Sequence, residues 1–197
     1  LLQIIGAKEV DDDYIAMIRS LSVCPELLQA EGKNLRIVYT PLHGSGNLPV
    51  RRMLREVGIT HVNVVAEQEA PDGDFPTVTA PNPEDPAAFK YAIPLAEQVG
   101  ATVVFGTDPD CDRTGIAVRN AAGEYVLLTG NETGMLLLNF ICARRAAHHA
   151  RDALALRVGD ESGHEEGHAV DVQRLVDGIH AVEELVHHVL TDPADEA

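Results

Sequence analysis

The chain has 197 residues, 31 of them acidic against 15 basic, and a formal net charge of −16. So negative a chain is a poor candidate for wrapping nucleic acid or lying on an anionic membrane, and a good one for placing a cation at a cluster of carboxylates. Its apolar content of 45% is that of an ordinary globule, with room for one domain and part of another.

Residues 11–21 read as a helix, with Asp11, Asp12 and Asp13 at its start, where the helix dipole favours anions. Cys24-Pro25-Glu26 opens a second, short helix that Gly32 closes. Residues 35–40 are a strand, rich in Ile, Val and Tyr. Pro41-Leu42-His43-Gly44-Ser45-Gly46-Asn47 is a turn loop; Asn47 is expected to cap a helix that begins near Pro49 and ends at Gly58. Residues 61–65 form another strand, and 67–83 a long loop with four prolines. Asn82-Pro83-Glu84 starts a helix to about Val99, in which Pro94 is expected to introduce a kink. Residues 101–106 are almost all apolar, as in a strand buried on both faces. Residues 115–118 and 125–128 form a hairpin around Asn120-Ala121-Ala122-Gly123, and Thr129 or Asn131 caps a helix through Phe140 that extends to Ala150. Residues 170–190 carry apolar side chains at helical spacing, and 191–197 are a frayed tail. The alternation predicts an α/β fold: three α/β/α layers on a mixed, mostly parallel sheet, plus a helical C-terminal segment.

Four further features bound the setting. No apolar run is long enough to span a membrane, and the first residues show no basic segment followed by an apolar core. Cys24, Cys111 and Cys142 are odd in number and widely spaced, which predicts free thiols and a reducing, cytoplasmic location. Leu1-Leu2-Gln3-Ile4-Ile5, with no initial methionine, reads as mid-protein sequence, so a fragment is expected.

The chemistry concentrates where the third strand ends, in Thr107-Asp108-Pro109-Asp110-Cys111-Asp112-Arg113. Three carboxylates at alternate positions repel one another as anions, and a hard divalent cation relieves that repulsion. The bland reading is a solvated acidic turn. A calcium loop is weakened at once: counted from Asp108, the glycine position holds Arg113 and the terminal glutamate position holds Arg119. Asp110-Cys111-Asp112-Arg113-Thr114 also resembles the nucleophile motif of haloacid-dehalogenase phosphatases, with Asp110 as nucleophile and Asp112 as acid. That family needs a later basic residue, and no lysine follows Lys90.

The stretch 107–113 is most similar to the metal loop of the α-D-phosphohexomutases, the phosphoglucomutase and phosphomannomutase superfamily. The likeness continues in Ile37-Val38-Tyr39-Thr40 with the glycine loop that follows, in Pro71-Asp72-Gly73-Asp74-Phe75-Pro76, and in Tyr125-Val126-Leu127-Leu128-Thr129-Gly130-Asn131. It covers roughly residues 1–145 and points to that family's second, metal-binding domain. The resemblance implies Mg²⁺ held by Asp108, Asp110 and Asp112, phosphate bound by Arg113, and phosphoryl transfer within hexose phosphates through a phosphoserine. It implies a helical lead-in at 1–33 from a missing first domain, a metal-binding domain at 34–147, and an irregular and helical segment at 148–197. The missing domains of the same enzyme would be its partners.

The family's Ser-His-Asn-Pro type phosphoserine motif does not occur in the sequence. Ser45, in its glycine loop, is expected to serve a turn or cap rather than act as nucleophile, and the isolated chain is expected to be inactive. Two other readings stand beside the mutase: a phosphatase using Asp110, and a non-catalytic binding module. His43 is open between lining the site and sitting in a surface turn, and Cys111 is read as packing.

Seven of the nine histidines fall within 148–188, where the strand pattern ends. Gly159-Asp160-Glu161-Ser162-Gly163-His164 resembles the family's sugar-binding loop, which makes Glu161, Ser162 and His164 candidate substrate ligands. The loop follows the metal loop too soon, and both a rearranged remnant of the third domain and a chance likeness stay open. His164-Glu165-Glu166-Gly167-His168 matches a zinc-protease pattern, but Gly163 and Gly167 disfavour the helix it needs, and adventitious metal binding is the expected outcome.

Overall fold

The computed structural model describes residues 10–159, with side-chain environments through residue 147. In chain order it contains α1 (Asp12–Ser20), α2 (Pro25–Glu31), β1 (Arg36–Thr40), α3 (Asn47–Glu56), β2 (His61–Val64), α4 (Ala66–Glu69), α5 (Ala92–Val99), β3 (Val103–Thr107), β4 (Thr114–Arg119), β5 (Tyr125–Leu128) and α6 (Gly130–Gly159). Short 3-10 turns occupy Gly32–Asn34 and Pro86–Phe89.

The five strands form one mixed sheet in the order β2-β1-β3-β4-β5. β1 pairs in parallel with both β2 and β3, whereas β3–β4 and β4–β5 are antiparallel. Strand alternation sorts the side chains onto two faces. Val38, Val104 and Ala117 pack with Phe89, Ala92 and Ala96 from the α5 side. Ile37 and Tyr39 turn the other way, against Ile59, Leu28, Val50 and Leu54 from α2 and α3 and their flanks. Phe89, 2% exposed, contributes about 2–3 kcal/mol by burial alone.

Several local expectations change for identifiable reasons. Asn47 does not cap α3; Gly46 holds that position, while Asn47 Nδ2 donates to the Glu69 carbonyl at 2.8 Å and ties the helix to α4. Residues 66–69 form a turn of helix where loop is expected. The helix expected from residue 82 to Val99 is two pieces: Asp85 caps the 3-10 turn by accepting from the Ala87 N–H, and α5 begins only at Ala92. Pro94 therefore lies in the first turn of α5, where an N–H has no helical partner to lose, so it has no kink to cause. Gly58 follows α3 with φ 98°, as the expected helix stop requires. In β3 the burial is alternate rather than two-sided, with Val104 enclosed and Phe105 partly open, its ring 4.8 Å from that of Tyr39.

α6 runs well past the expected end at Ala150, and the boundary expected at 147/148 lies inside it. The chain divides into two compact units, one ending at Gly130 and the other beginning at Asn131. The segments read as an amphipathic helix at 170–190 and a frayed tail lie outside the described residues.

The long loop 67–83 returns to the sheet at Pro83, whose carbonyl presses on β4. A Cβ on Gly115 would lie 1.7 Å from the Pro83 oxygen. Gly115→Ala is expected to destabilise the fold by about 3 kcal/mol, read as a lowered denaturation midpoint at unchanged slope. A loss below about 0.5 kcal/mol would show that the loop does not lie on this strand.

Candidate metal centre

β3 ends at Thr107 and delivers Asp108 to the carboxyl end of the sheet, 2% exposed. The next residues turn sharply: the Cys111 N–H donates to the Asp108 carbonyl at 3.0 Å, and Cys111 takes φ 64°. The turn brings Arg113 back onto Asp108. Its backbone N–H donates to Oδ1 at 3.0 Å and its guanidinium Nε to Oδ2 at 2.8 Å. Arg113 Nη1 also donates to Asn82 Oδ1 at 3.3 Å, so the long loop helps to aim the guanidinium. The Arg113 side chain remains 53% exposed, and Asp110 and Asp112 face solvent.

One carboxylate oxygen from each of Asp108, Asp110 and Asp112 lies within 4.8 Å of the other two. Ligands on one Mg²⁺ at 2.0–2.1 Å stand about 3 Å apart when adjacent and about 4 Å apart when opposite. A bound cation would hold the three oxygens closer than that 4.8 Å bound, and the exposed Asp110 and Asp112 can adjust by side-chain rotation. The Arg113 bonds occupy only part of the acceptor capacity of Asp108, since a carboxylate offers about four lone-pair sites. An all-oxygen donor set with that freedom fits a hard divalent cation.

The charges are unequal. Burial pushes the Asp108 carboxyl up, but the backbone and side-chain bonds from Arg113 outweigh it and hold the group below the usual carboxylate range. Asp112 is pushed up, first by its hydrogen bond with Asp108 and then by the charges of Asp110 and Asp108. Beneath the loop, burial pushes the Tyr39 hydroxyl up to about 12, and that hydroxyl shares a 2.9 Å hydrogen bond with Thr107 Oγ1.

The loop after β1 packs against this turn. Ser45 N–H and Oγ both donate to the Pro109 carbonyl, at 2.8 and 3.0 Å, so Ser45 braces the turn and caps nothing. A Cβ on Gly44 would lie 2.4 Å from Pro109 Cα, and one on Gly46 would lie 2.8 Å from Cys111 Sγ. His43 is buried, with both ring nitrogens hydrogen-bonded into the long loop. Glu161, Ser162, His164 and the zinc-protease pattern lie outside the described residues. A shallow groove of about 760 Å³ beside Val64, Glu67 and Pro94 is lined by none of the candidate site residues read from sequence. Asn82 is legible in the sequence only as a helix start; that its side chain reaches Arg113, 31 residues away, has no local signal.

The two shifts act on stability with opposite signs. The contribution of Asp108 is fully present above the ordinary carboxyl value near ~3.9 and is lost as pH falls through its lower folded value. Asp112 favours the fold when protonated, and that advantage is lost as pH rises through its raised value. In a carboxyl-carbon NMR titration of the metal-free chain, Asp108 is expected to titrate below Asp112, and Arg113→Gln is expected to move Asp108 upward. An Asp108 that does not move would contradict the ion pair.

Comparison with known proteins gives a consistent answer. The family described as phosphoglucomutase/phosphomannomutase, alpha/beta/alpha domain II, matches residues 12–123. A phosphoglucomutase of Staphylococcus epidermidis (strain ATCC 12228 / FDA PCI 1200) is 38% identical over 133 residues, which are 67% of this chain and 23% of that protein. A phosphoglucomutase of Staphylococcus aureus (strain MRSA252) is 38% identical over 134 residues, 68% of this chain and 23% of that protein. The chain thus spans about a quarter of the length of the curated relatives it matches. A crystal structure assigned as a phosphomannomutase from Thermus thermophilus shares the fold at a TM-score of 0.51 and 19% identity, over 71% of this chain and 30% of that one. With the matched region running from α1 to the β4–β5 turn, the chain belongs to the phosphoglucomutase/phosphomannomutase family through that family's α/β/α domain II.

Proposed function

We propose that this chain is the metal-binding portion of a phosphohexomutase, a phosphotransferase acting within hexose phosphates such as the 1- and 6-phosphates of glucose or mannose. The observation that carries this reading is the convergence of the Asp108, Asp110 and Asp112 oxygens within 4.8 Å at the end of β3, in a domain of this family. Asp108, held by Arg113, would be the fixed ligand, and the solvent-facing Asp110 and Asp112 would supply the other two. Bound Mg²⁺ supplies charge withdrawal from the phosphoryl oxygens in transfer. Arg113 uses two donors on Asp108 Oδ2 and Asn82 and keeps others for phosphate oxygens, since a guanidinium carries five.

The sequence holds no phosphoserine motif, and on this reading other domains of the same enzyme would present the transferred group. The free thiols Cys24, Cys111 and Cys142 support a reducing, cytoplasmic setting. The purified chain is expected to bind Mg²⁺, with Asp110→Ala or Asp112→Ala weakening binding by about tenfold or more in a calorimetric titration. It is expected to show no turnover of glucose 1-phosphate or mannose 1-phosphate with a trace of bisphosphate. Robust mutase turnover would overturn the fragment reading. Beryllium fluoride trapping on Asp110 would instead favour the phosphatase.

A further inference from the structure

A largely buried line of hydrogen bonds joins the long loop 67–83 to the loop that braces the metal turn. Gln68 is fully buried and His43 is 5% exposed, and neither belongs to the aspartate cluster. The direction of each bond follows from what each atom is able to do. His43 Nδ1 lies 3.0 Å from the Ala70 carbonyl, which only accepts, so Nδ1 carries the proton. In the neutral ring Nε2 then accepts, and its partner at 2.9 Å, Thr77 Oγ1, donates. Thr77 Oγ1 in turn accepts from Gln68 Nε2 at 3.1 Å. Gln68 Oε1 accepts from Thr40 Oγ1 at 2.7 Å, and Thr40 Oγ1 accepts from the Leu42 N–H at 3.2 Å.

Every hydroxyl, amide and ring nitrogen in this line has one consistent role, and such chains polarise and stiffen their members. The backbone adds two more ties: the His43 N–H donates to the Gln68 carbonyl at 2.9 Å, and the Asp72 N–H donates to the His43 carbonyl at 3.2 Å. The line holds a costly conformation. Leu42 and His43 both adopt positive φ, 46° and 62°, a region that non-glycine residues occupy only when their surroundings impose it. The strained pair leads directly into Gly44 and Ser45, which sit on Pro109 between Asp108 and Asp110.

We propose that Gln68, Thr77 and His43 are positioning residues for the metal centre: they lock the Leu42–His43 turn, which presses Gly44 and Ser45 onto Pro109 and presets the spacing of the aspartates. The proposal rests on the reading of Asp108, Asp110 and Asp112 as a cation site. Thr77 is the link to break, because Val matches its shape without the hydroxyl and Ser restores the hydroxyl without the methyl.

The test uses the full 197-residue chain with Mn²⁺ as the spectroscopic probe for the magnesium site, free ion being followed by electron paramagnetic resonance. Metal-free thermal unfolding is recorded beside it. Thr77→Val is expected to bind Mn²⁺ about tenfold more weakly while still folded at the assay temperature, and Thr77→Ser is expected to bind like wild type. A purely structural role would lower the unfolding midpoint and leave the affinity of the folded protein unchanged. Wild-type affinity in Thr77→Val would overturn the proposal and leave the metal reading standing; no Mn²⁺ binding by wild type would overturn both. If Thr77→Val does not stay folded, His43→Asn replaces it. Asn tolerates positive φ and keeps an N–H for Ala70 but is too short to reach Thr77, so unchanged affinity there overturns the proposal equally.

Discussion

Parallel pairing of β1 with β3 is the constraint on which the site depends. The chain leaves β1 for β2 through α3 and returns from β2 to β3 through α5, on the opposite face. The carboxyl ends of β1 and β3 are thus neighbours from which the chain departs in different directions. That is the topological switch point, where open α/β sheets leave a crevice for ligands. The loops after these strands meet there with almost no clearance. Gly44 lies so close to Pro109 that no side chain fits, and the Pro109 carbonyl is taken by Ser45. The spacing of the aspartates therefore depends on a strand far upstream as well as on their own turn.

Within that frame the three carboxylates are different groups. Asp108 is buried, and its charge is tolerable because Arg113 meets both oxygens. Asp110 and Asp112 face water, and Asp112 is pushed up by its hydrogen bond with Asp108 and by the charges of Asp110 and Asp108. On the function proposed above, one held and two solvent-facing carboxylates would suit a cation that shares its coordination sphere with a phosphoryl group. Arg113 has a double role: it compensates Asp108 and still presents donors outward, with Asn82 limiting its swing.

Much of this is legible in the residues, because local rules apply where side chains act locally. The strands, the α3 stop at Gly58 and the placement of Asp108 after β3 follow from apolar runs, glycine conformation and strand ends. The family resemblance on the motifs from Ile37 to Arg113 falls within the region matched as domain II. Failures come where tertiary contact overrides local preference. Asn47 has an ideal capping side chain, but the Glu69 carbonyl and Arg51 claim it. Gln68 sits in a segment that reads as a proline-rich loop and is fully buried, because Thr40, Thr77 and Ala88 satisfy its amide. His43 stays open between two readings in the sequence, since a histidine in a glycine-rich turn carries no sign of the loop that folds over it.

The most direct measurement is a crystal structure of the chain grown with magnesium. One ion bonded to oxygens of Asp108, Asp110 and Asp112 at about 2.1 Å, with Arg113 still on Asp108, is the predicted result. Magnesium bound elsewhere, or an aspartate turn unchanged and free of metal at saturating magnesium, would contradict the assignment of this loop as the metal centre.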